Sequence, residues 1–564
     1  MKTRRAFRPC GFWAGGFGMV DLKGSPFFLN ESQQAWVLET LESLTIEEKA
    51  GQLFCVMGQD YEPETLKKMV SDGRIGGILF RPEPAESIRA RFAPLDEAAA
   101  VPLLKAANLE EGGTGAVSDG TLFGWPMLTA ATDDAAMAEK FGLVCAVEGR
   151  SAGINWTYSP VCDLDLNFRN PITNVRTYGS DKERVIRFTE KYTEAVQQCG
   201  VAACAKHFPG DGVDYRDQHL HPTYNSLPAA EWYATYGEIY RNLIAHNLLS
   251  IMVGHIVQPN VAMEMNPDLR FEDCLPASLS PEMLTGVLRG RFGFNGVITT
   301  DATIMGGFCM AMERRRAIPA AIAAGNDMLV FNTDFGEDYR YLTEGIRNGT
   351  VTAERLDEAV TRVLALKAKV CFAPPCSAEI YAGEWKQEAA EKSVTLVKNN
   401  QSDIFPVTPE RYPEIRLIVL GRDEIADGSV AGIGLETLKA QGFDVKLYEP
   451  YKDDLHGTAR LSGSRLTLYL ANYEQASNQT TVRIEWCKKH ALDGPRFLNE
   501  EPCVFISLAN PYLLQDAPRI KTYINAYTAT RTVIETVIRK LVHGGPFTGI
   551  SPVDPFCGLP DTHL

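Results

Sequence analysis

The sequence predicts an α/β protein in which a (β/α)8 TIM-like barrel precedes a smaller three-layer αβα sandwich. At 564 residues the chain is too long for one ordinary core, so two domains are expected. Eight short apolar runs alternate with amphipathic helical segments over about 300 residues, which is the rhythm of a parallel barrel. A second series of apolar runs follows a Pro-containing segment at 371–379 and indicates another α/β unit.

Each barrel strand is predicted from a short run that is rich in apolar and β-branched residues. The runs are QLFCVM (52–57), GGILF (76–80), PLLKAAN (102–108), INWTYSPVCD (154–163), VAACAKHF (201–208), LLSIMVGHI (248–256), GVITTD (296–301) and DMLVF (327–331). Polar residues stand at the carboxyl ends of most of them: Asn108, Asp163, Lys206, His207, His255 and Asp301. Barrel enzymes build their active sites at these strand ends, so this face is the predicted catalytic face.

The domain boundaries follow from the same patterns. We predict an amino-terminal extension at 1–30, the catalytic barrel at 31–370, a linker at 371–390 and the sandwich at 391–564. The sandwich strands are predicted at RLIVLG (416–421), FDVKLYEP (443–450), RLTLYLAN (465–472) and PCVFISLANPY (502–512). Neither domain opens with a P-loop or a GxGxxG fingerprint, so nucleotide binding is not expected.

Composition excludes several classes of partner. A net charge of −15 argues against nucleic acid, because binding to phosphates relies on clustered Lys and Arg. We find no run of about 18 apolar residues, so no membrane span is predicted. The basic start resembles a secretion signal, but Arg8, Pro9 and several glycines interrupt its apolar run, which favours a cytoplasmic location.

The cysteines are predicted to be thiols. There are 13 of them, an odd number without a CxxC pair, which is typical of small buried side chains in a reducing compartment. We therefore predict neither a metal site nor a cofactor.

The segment KHFPGDGVDYRDQH (206–219) is dense in groups that can carry protons. Asp217 and His219 are two residues apart on a non-helical loop, so the carboxylate can bond one ring nitrogen and leave the other free to exchange protons. The glycines around Asp211 give such a loop freedom to move. Taken alone, the same residues also fit a solvated loop whose polar side chains cap turns.

The wider motif decides between these interpretations. The run K-H-F-P-G-D-G-x4-D-x-H resembles the signature of glycoside hydrolase family 3, β-N-acetylglucosaminidase branch, whose usual form is K-H-F-P-G-H-G-x4-D-S/T-H. The segment LRGRFGFNGVITTDATIMGGF (288–308) is similar to the G-F-x-G-V-I-x-S-D-D-x-x-M segment of that family. Further matching pieces are LTIEEKAGQLF (44–54), LEEGG (109–113), YSPVCDLDLN (158–167), NPITNVRTYGSD (170–181) and EKSVTLVKNN (391–400). The resemblance covers residues 40–400 in the order of the family.

This resemblance implies a role for each candidate residue. Asp301 matches the nucleophile that forms a covalent glycosyl-enzyme, and His219 matches the general acid/base, with Asp217 as its orienting partner. Arg176, Lys206 and His207 match residues that bind hydroxyls of the terminal sugar, and Asp163 belongs to the same group of substrate-binding candidates. His221 has the wrong spacing for the acid/base.

Three departures from the family pattern bear on specificity. The chain has N-L-E-E-G-G where the family often has D-Q-E-G-G, so Glu110 or Glu111 is the candidate for holding distal hydroxyls. Asp211 stands in place of a histidine, and Ala302 in place of the second aspartate of S-D-D. None of these changes removes a residue assigned to the chemistry.

The resemblance therefore implies a retaining exo-β-N-acetylglucosaminidase that acts on an oligosaccharide or glycoconjugate. Within the family, a β-glucosidase, a β-xylosidase or a phosphorylase is the alternative; the first two usually take a glutamate acid/base from another part of the chain. A histidine repels incoming phosphate less than a carboxylate does, which keeps phosphorolysis open. A non-catalytic carbohydrate-binding barrel is the alternative from another class. The oligomeric state and the role of the sandwich do not follow from the sequence.

Overall fold

The computed structural model describes residues 20–401, 403–450, 465–488, 491–496 and 498–564. Most of the predicted amino-terminal extension therefore lies outside the described residues. The remaining chain forms an eight-stranded parallel sheet that curves into a barrel and a six-stranded sheet that follows it. The predicted α/β fold, a TIM-like barrel followed by a smaller α/β domain, is confirmed.

The barrel strands coincide with the eight predicted runs. They are β1 (Phe54–Met57), β2 (Gly77–Leu79), β3 (Leu104–Ala107), β4 (Trp156–Thr157), β5 (Cys204–Phe208), β6 (Ser250–Val253), β7 (Val297–Ala302) and β8 (Met328–Val330). Ladders join them in the order β4-β3-β2-β1-β8-β7-β6-β5. Two parallel bridges, Trp156 to Ala202 and Val161 to Lys206, connect β4 to β5 and close the ring.

Helices cover the outside of the barrel. Their bounds are Glu31–Ser43, Ile46–Gln52, Pro63–Ser71, Ala85–Ala98, Pro126–Ala131, Ala135–Ser151, Lys182–Gln198, Ala229–Ala234, Tyr236–Ala245, Pro259–Met265, Gly306–Cys309, Arg314–Ala324, Phe335–Arg347 and Ala353–Val370, with a π-helix at Glu282–Arg291. Local sequence sets where several of them begin: Asn30 and Thr45 each form a capping box, and Asp181 and Asp334 accept a backbone N–H of the first turn. The strands that these helices cover are mostly apolar and are buried on both faces, with polar residues such as Lys206 and Asp301 near their carboxyl ends.

The second sheet, which with its helices is called the second domain below, has six strands. They are β9 (Thr395–Asn399), β10 (Glu414–Gly421), β11 (Asp444–Leu447), β12 (Arg465–Asn472), β13 (Cys503–Ser507) and β14 (Thr522–Asn525), in the order β9-β14-β13-β12-β10-β11. All neighbours pair in parallel except β9 with β14. Two of these strands, β9 and β14, are absent from the predicted set.

The two faces of this sheet are covered differently. Helices Val430–Ala440, Arg531–His543 and Ala382–Ser393 pack together, and the last of them also contacts the barrel helices Pro126–Ala131 and Ala135–Ser151. The other face packs against Ile484, Leu492, Leu513 and Leu514, which lie on irregular chain and one 3-10 turn in the described part of this region. Helix Ala382–Ser393 also crosses the predicted end of the linker.

The prediction that the cysteines are thiols is wrong for one pair. Cys199, at the end of helix Lys182–Gln198, forms a disulfide with Cys376 in the segment that follows the barrel. Ten other cysteines of the described chain are not disulfide-bonded, as predicted. Among the helices that the structure describes, none is long and apolar enough to cross a membrane.

Candidate active site

A cavity of about 650 Å3 opens at the carboxyl ends of the barrel strands. Seven of the predicted site residues line it: Glu110, Glu111, Arg176, Lys206, His207, His219 and Asp301. Asp163 and Asp217 do not line it; they lie beneath the cavity wall with 1% exposure each. The structure therefore brings most of the predicted site residues together at one end of the barrel, although they are spread over almost 200 residues of sequence.

Asp301 is near the end of β7, at the floor of the cavity. Its Oδ1 accepts a hydrogen bond of 2.7 Å from the backbone N–H of Ala302, and its Oδ2 lies 3.9 Å from His207 Nε2. Burial opposes ionisation, but His207, His255 and His219 outweigh it and hold the pKa of Asp301 below its ordinary value. The carboxylate is thus ionised and available as a nucleophile near neutral pH.

His207 is oriented from below by Asp163. The Nδ1 of His207 lies 2.7 Å from Asp163 Oδ2, while Asp163 Oδ1 accepts the backbone N–H groups of His207 and Asp211. A carboxylate at Nδ1 fixes the proton on that nitrogen and directs Nε2 towards Asp301. Asp163 therefore reaches the cavity only through His207, and its predicted contact with substrate would be indirect.

Glu110 forms a buried ion cluster with two cations that line the same cavity. Arg176 donates to both carboxylate oxygens of Glu110, at 2.9 and 3.1 Å, and Lys206 Nζ donates to Oε1. Burial alone would raise the pKa of Glu110, but Arg176 and Lys206 hold it well below the ordinary value. The cluster presents fixed donors and acceptors of the kind that bind sugar hydroxyls. Of the two candidate glutamates, Glu110 is the one that joins the predicted binding cations.

The loop after β5 carries the predicted dyad. Asp217 Oδ1 accepts from the backbone N–H of His219 and lies 2.6 Å from its Nδ1, so Nε2 is the nitrogen left for proton exchange. The backbone N–H of Asn478, in the second domain, donates to Asp217 Oδ2 at 2.8 Å. Burial opposes the charge of Asp217, but these hydrogen bonds and His219 lower its pKa.

Asp211 and its flanking glycines fix the path of this loop. The Asp211 carboxylate accepts from Asn170, from the Gly212 N–H and from Gln218. Gly210 and Gly212 have φ of +116° and +96°, and a Cβ on Gly212 would lie 1.9 Å from the Leu164 carbonyl oxygen. Positive φ and close packing thus require the glycines, while the mobility of the loop stays a prediction.

Glu111 lies at the side of the cavity that faces the second domain. Burial, followed by the nearby carboxylates of Glu474 and Glu110, raises the pKa of Glu111 to about 8. Glu474 accepts a hydrogen bond from the Trp125 indole N–H, and burial raises its pKa also. At neutral pH Glu111 is therefore largely protonated and can donate as well as accept a hydrogen bond.

Sequence reasoning missed the contribution of the second domain. Residues Gln475–Asn478, which follow β12, complete the cavity wall together with Trp125 from the barrel. No spacing rule connects these residues to the barrel motifs. The run of small and polar residues after a buried strand, YEQASNQ, was the available signal. In the part of the chain that the structure describes, no group of three His, Cys, Asp or Glu side chains is arranged to hold a metal ion.

Known proteins resemble this chain in sequence. Residues 45–366 match the glycosyl hydrolase family 3 N terminal domain. The chain is 41% identical over 565 residues to a β-N-acetylglucosaminidase/β-glucosidase of Cellulomonas fimi, covering 97% of this chain and all of that protein. It is 30% identical over 194 residues to a β-hexosaminidase of Methylobacillus flagellatus, covering 34% of this chain and 52% of that protein.

Solved structures show the same fold. The β-glucoside phosphorylase BglX is 41% identical and superposes with a TM-score of 0.89 over 96% of this chain and 99% of that one. A family 3 β-N-acetylglucosaminidase from a Paenibacillus species, at 24% identity, has a TM-score of 0.76 over 91% of this chain and 99% of that one. The match to the family domain over more than half of the chain, with a full-length relative at 41% identity, is decisive. This chain is a carbohydrate-active enzyme of glycoside hydrolase family 3.

Proposed function

We propose that the enzyme cleaves terminal β-linked N-acetylglucosamine, with retention of configuration, through a covalent intermediate on Asp301. The observation that carries this proposal is that an ionised carboxylate and a histidine with one free ring nitrogen face the same cavity. A retaining glycosidase needs one group to attack the anomeric carbon and another to transfer the leaving-group proton.

In the first step, an Asp301 oxygen attacks C1 of the bound sugar while the C1–O bond to the leaving group breaks. His219, protonated at both nitrogens, gives the Nε2 proton to the departing oxygen and becomes neutral. Asp217 at Nδ1 stabilises the imidazolium before the transfer and keeps the ring oriented throughout. The backbone N–H of Ala302 holds the other oxygen of the nucleophile.

In the second step, neutral His219 takes a proton from an incoming acceptor at Nε2. The acceptor oxygen bonds to C1, the ester bond to Asp301 breaks, and the carboxylate is regenerated. Two inversions restore the original β configuration. The glycone hydroxyls are held through both steps by Glu110, Arg176, Lys206 and His207. Glu110 is bonded to Arg176 and Lys206, and His207 is bonded to Asp163, so their positions are fixed.

A second candidate function is the phosphorolysis of β-glucosides. The acid/base is an imidazole, which is neutral when the acceptor arrives, so it does not repel a phosphate anion as a carboxylate would. The solved relative at 41% identity is a β-glucoside phosphorylase, and the curated relative at the same identity is both a β-N-acetylglucosaminidase and a β-glucosidase. Glucose and phosphate are therefore the competing glycone and acceptor.

The test is a panel of nitrophenyl β-glycosides with and without the 2-acetamido group, each assayed in phosphate-free and in phosphate buffer. Higher kcat/KM for the acetamido sugar, with free sugar as product, supports the main proposal. Formation of sugar 1-phosphate, detected by phosphorus NMR, supports phosphorolysis. If no glycoside turns over while N-acetylglucosamine still binds, the protein is a carbohydrate-binding barrel and both proposals fail.

The nucleophile is tested separately with Asp301→Asn. This change removes the attacking carboxylate but keeps its shape, so kcat should fall by several orders of magnitude, on the order of 10⁴-fold or more, while the protein stays folded. A 2-deoxy-2-fluoro glycoside should label Asp301 in the unmodified enzyme. Labelling of a different carboxylate would overturn the assignment.

A further inference from the structure

Gln475 is a buried polar residue whose side chain lacks hydrogen-bond partners. It lies in the segment that follows β12 of the second domain, and it lines the catalytic cavity. The residue is 5% exposed, and within the described chain neither its Nε2 nor its Oε1 has a partner. A buried amide normally makes hydrogen bonds, so an unpaired one at the wall of a binding cavity indicates that a ligand completes it.

Contacts on both sides hold Gln475 at the barrel. The preceding residue, Glu474, accepts from the indole N–H of Trp125, which belongs to the barrel. Three residues later, the backbone N–H of Asn478 donates to Asp217, the partner of His219. Gln475 therefore lies in the cavity wall on a segment with an anchor at each end, so little ordering of this segment is needed when substrate arrives.

The chemistry of an amide restricts the missing partner. Its NH2 group donates and its oxygen accepts, so a group with both capacities satisfies it best. A sugar hydroxyl and an acetamido group both donate and accept. A phosphate anion offers mainly acceptor oxygens, so it matches the amide less well than a sugar hydroxyl or an acetamido group does.

We propose that Gln475 is a sugar-binding residue, supplied by the second domain, which exchanges hydrogen bonds with one hydroxyl or acetamido group of the substrate. The inference deepens the proposed function, because it assigns a specificity contact to the same cavity. Glu111, whose pKa is raised to about 8, lines the same cavity and offers the substrate a further donor. Glycone or aglycone selection would then depend on both domains.

The test is Gln475→Leu, which keeps the approximate volume and removes the amide. With the preferred nitrophenyl glycoside, kcat/KM should fall about 10-fold to 100-fold, which is the typical cost of leaving a buried sugar group unpaired. With the monodeoxy or des-acetamido analogue that lacks the contacted group, the same change should have no effect. Thr480→Ala, an exposed change in the same segment outside the cavity wall, is the matched control and should behave as wild type.

Stability gives a readout that separates binding from a structural role. Replacing an unpaired buried amide by an apolar side chain should leave the Tm of the free enzyme unchanged or raise it, whereas a lost structural hydrogen bond would lower it. A lowered Tm with no analogue-dependent change in kcat/KM would overturn the proposal. So would wild-type kcat/KM for Gln475→Leu on every glycoside of the panel.

One further experiment separates a failure of this proposal from a failure of the proposed function. Calorimetric titration of the Asp301→Asn enzyme with N-acetylglucosamine and with glucose measures binding without turnover. Adding Gln475→Leu should weaken the affinity for at least one of the two sugars by about 10-fold or more. If wild type fails to cleave any glycoside but this loss of affinity is seen, Gln475 remains a sugar-binding residue although the proposed function is wrong.

Discussion

The two ring nitrogens of His219 differ: Nδ1 lies against Asp217, and Nε2 is left for the proposed proton transfer. Asp217 takes Nδ1 and the backbone N–H of the same histidine, so the ring is held by two bonds to one oxygen. The other Asp217 oxygen is held by Asn478 from the second domain. The side chain of His219 remains 22% exposed at the cavity, where Nε2 can meet a leaving group.

The loss of activity on removal of this imidazole should depend on the leaving group. His219→Ala should slow cleavage of an alkyl or sugar aglycone by roughly 10²-fold to 10⁴-fold, because such groups need a proton to depart. A nitrophenol scarcely needs one, so its departure should be much less affected. Steady-state kinetics with a series of aglycones of graded acidity gives the measurement.

The control is His221, two residues further along the loop. Its Nδ1 lies 3.3 Å from the Pro222 carbonyl oxygen, and it does not line the cavity. His221→Ala should leave the dependence on leaving group as in wild type. Should His221→Ala show that dependence and His219→Ala lack it, the proton donor has been misassigned.

Asp211 should make stability depend on pH. Burial and the neighbouring Asp163 raise its pKa to about 7, so the folded state binds a proton that the unfolded state releases above about pH 4. The stabilisation from this proton is complete below about pH 4 and is lost as the pH rises through about 7. Asp211→Asn imitates the protonated form and should flatten the fall in Tm over this range.

Thermal unfolding of both proteins at a series of pH values tests this expectation. The remaining slope in Asp211→Asn should include Glu111, whose raised pKa extends the same effect to about pH 8. Asp60→Asn, at an exposed position, is the control and should follow the wild-type curve. Identical pH profiles for wild type and Asp211→Asn would contradict the assignment.

At the scale of elements, the two proposed catalytic groups have different supports. Asp301 belongs to β7, which pairs with β6 over residues 297–300 and with β8 at Thr299 and Ala302, on either side of Asp301. His219 belongs to a loop that is shaped by Gly210, Asp211 and Gly212 and is closed over by the second domain. The proposed nucleophile is thus carried by a barrel strand, and the proposed acid/base is held by side-chain and backbone contacts of a loop.

A methyl group at Gly212 should disturb that loop. Gly212→Ala places a Cβ 1.9 Å from a backbone oxygen in a left-handed conformation, so the backbone must move and displace Asp217 with it. We expect kcat/KM to fall and the free energy of unfolding to drop by more than the ~1–2 kcal/mol of the conformational cost alone. Urea unfolding and steady-state kinetics give both values.

Gly349 provides the matched comparison. It also has positive φ, +80°, but no atom lies within 4 Å of the Cβ that alanine would add. Gly349→Ala should therefore show the conformational cost with normal kinetics. Equal losses of stability in the two variants, with unchanged kcat/KM in both, would refute the close-packing argument.

The barrel elements could be predicted from sequence because the pattern of apolar residues in each element matches the burial of that element in the structure. Each barrel strand is a continuous apolar run, and parallel strand ends converge, so Lys206, His207 and Asp301 were expected together. The ion cluster of Glu110 was less accessible, since Arg176 and Lys206 reach it across 66 and 96 residues and the choice between Glu110 and Glu111 depends on strand register. Strands β9 (TLVKN) and β14 (TYIN) were missed because polar residues interrupt their apolar runs, and β9 pairs with a partner more than 100 residues away.

At the scale of the whole molecule, the two ends of the barrel differ: one carries a buried ion cluster and the other carries the cavity. Asp327 precedes β8 and lies at the end opposite the cavity, fully buried. Arg289 and Arg355 each approach one of its oxygens at 2.6 Å, and Arg362 lies at 3.6 Å. This cluster ties the π-helix and helix Ala353–Val370 to the barrel. The catalytic end is closed instead by the second domain, where Tyr512 donates to Asp165 and Trp125 to Glu474.

Asp327→Asn should therefore affect stability without affecting chemistry. Loss of the carboxylate removes the acid partner of Arg289, while Arg355 and Arg362 keep Glu358 at 2.7 Å. Removing one partner of a buried ion pair typically costs about 3–5 kcal/mol. At a temperature where the variant is still folded, kcat and KM should be unchanged because the cavity is at the other end. Glu337→Gln, which removes an exposed pair with Arg340 at 3.5 Å, should cost less than about 1 kcal/mol. A changed KM with unaltered unfolding would contradict this separation.

The difference in support between the strand-borne nucleophile and the loop-borne acid/base also has an evolutionary consequence. Under the proposed mechanism, anomeric stereochemistry follows from the carboxylate of Asp301, which β7 carries between its pairings with β8 at Thr299 and Ala302. The proposed acid/base, and with it the acceptor that is favoured, depends on a loop and on a segment of another domain. Loop insertions and domain divergence are tolerated far more readily than changes within a barrel strand. We therefore expect lineages with this architecture to exchange water for other acceptors, and one aglycone for another, much more often than they exchange retention for inversion.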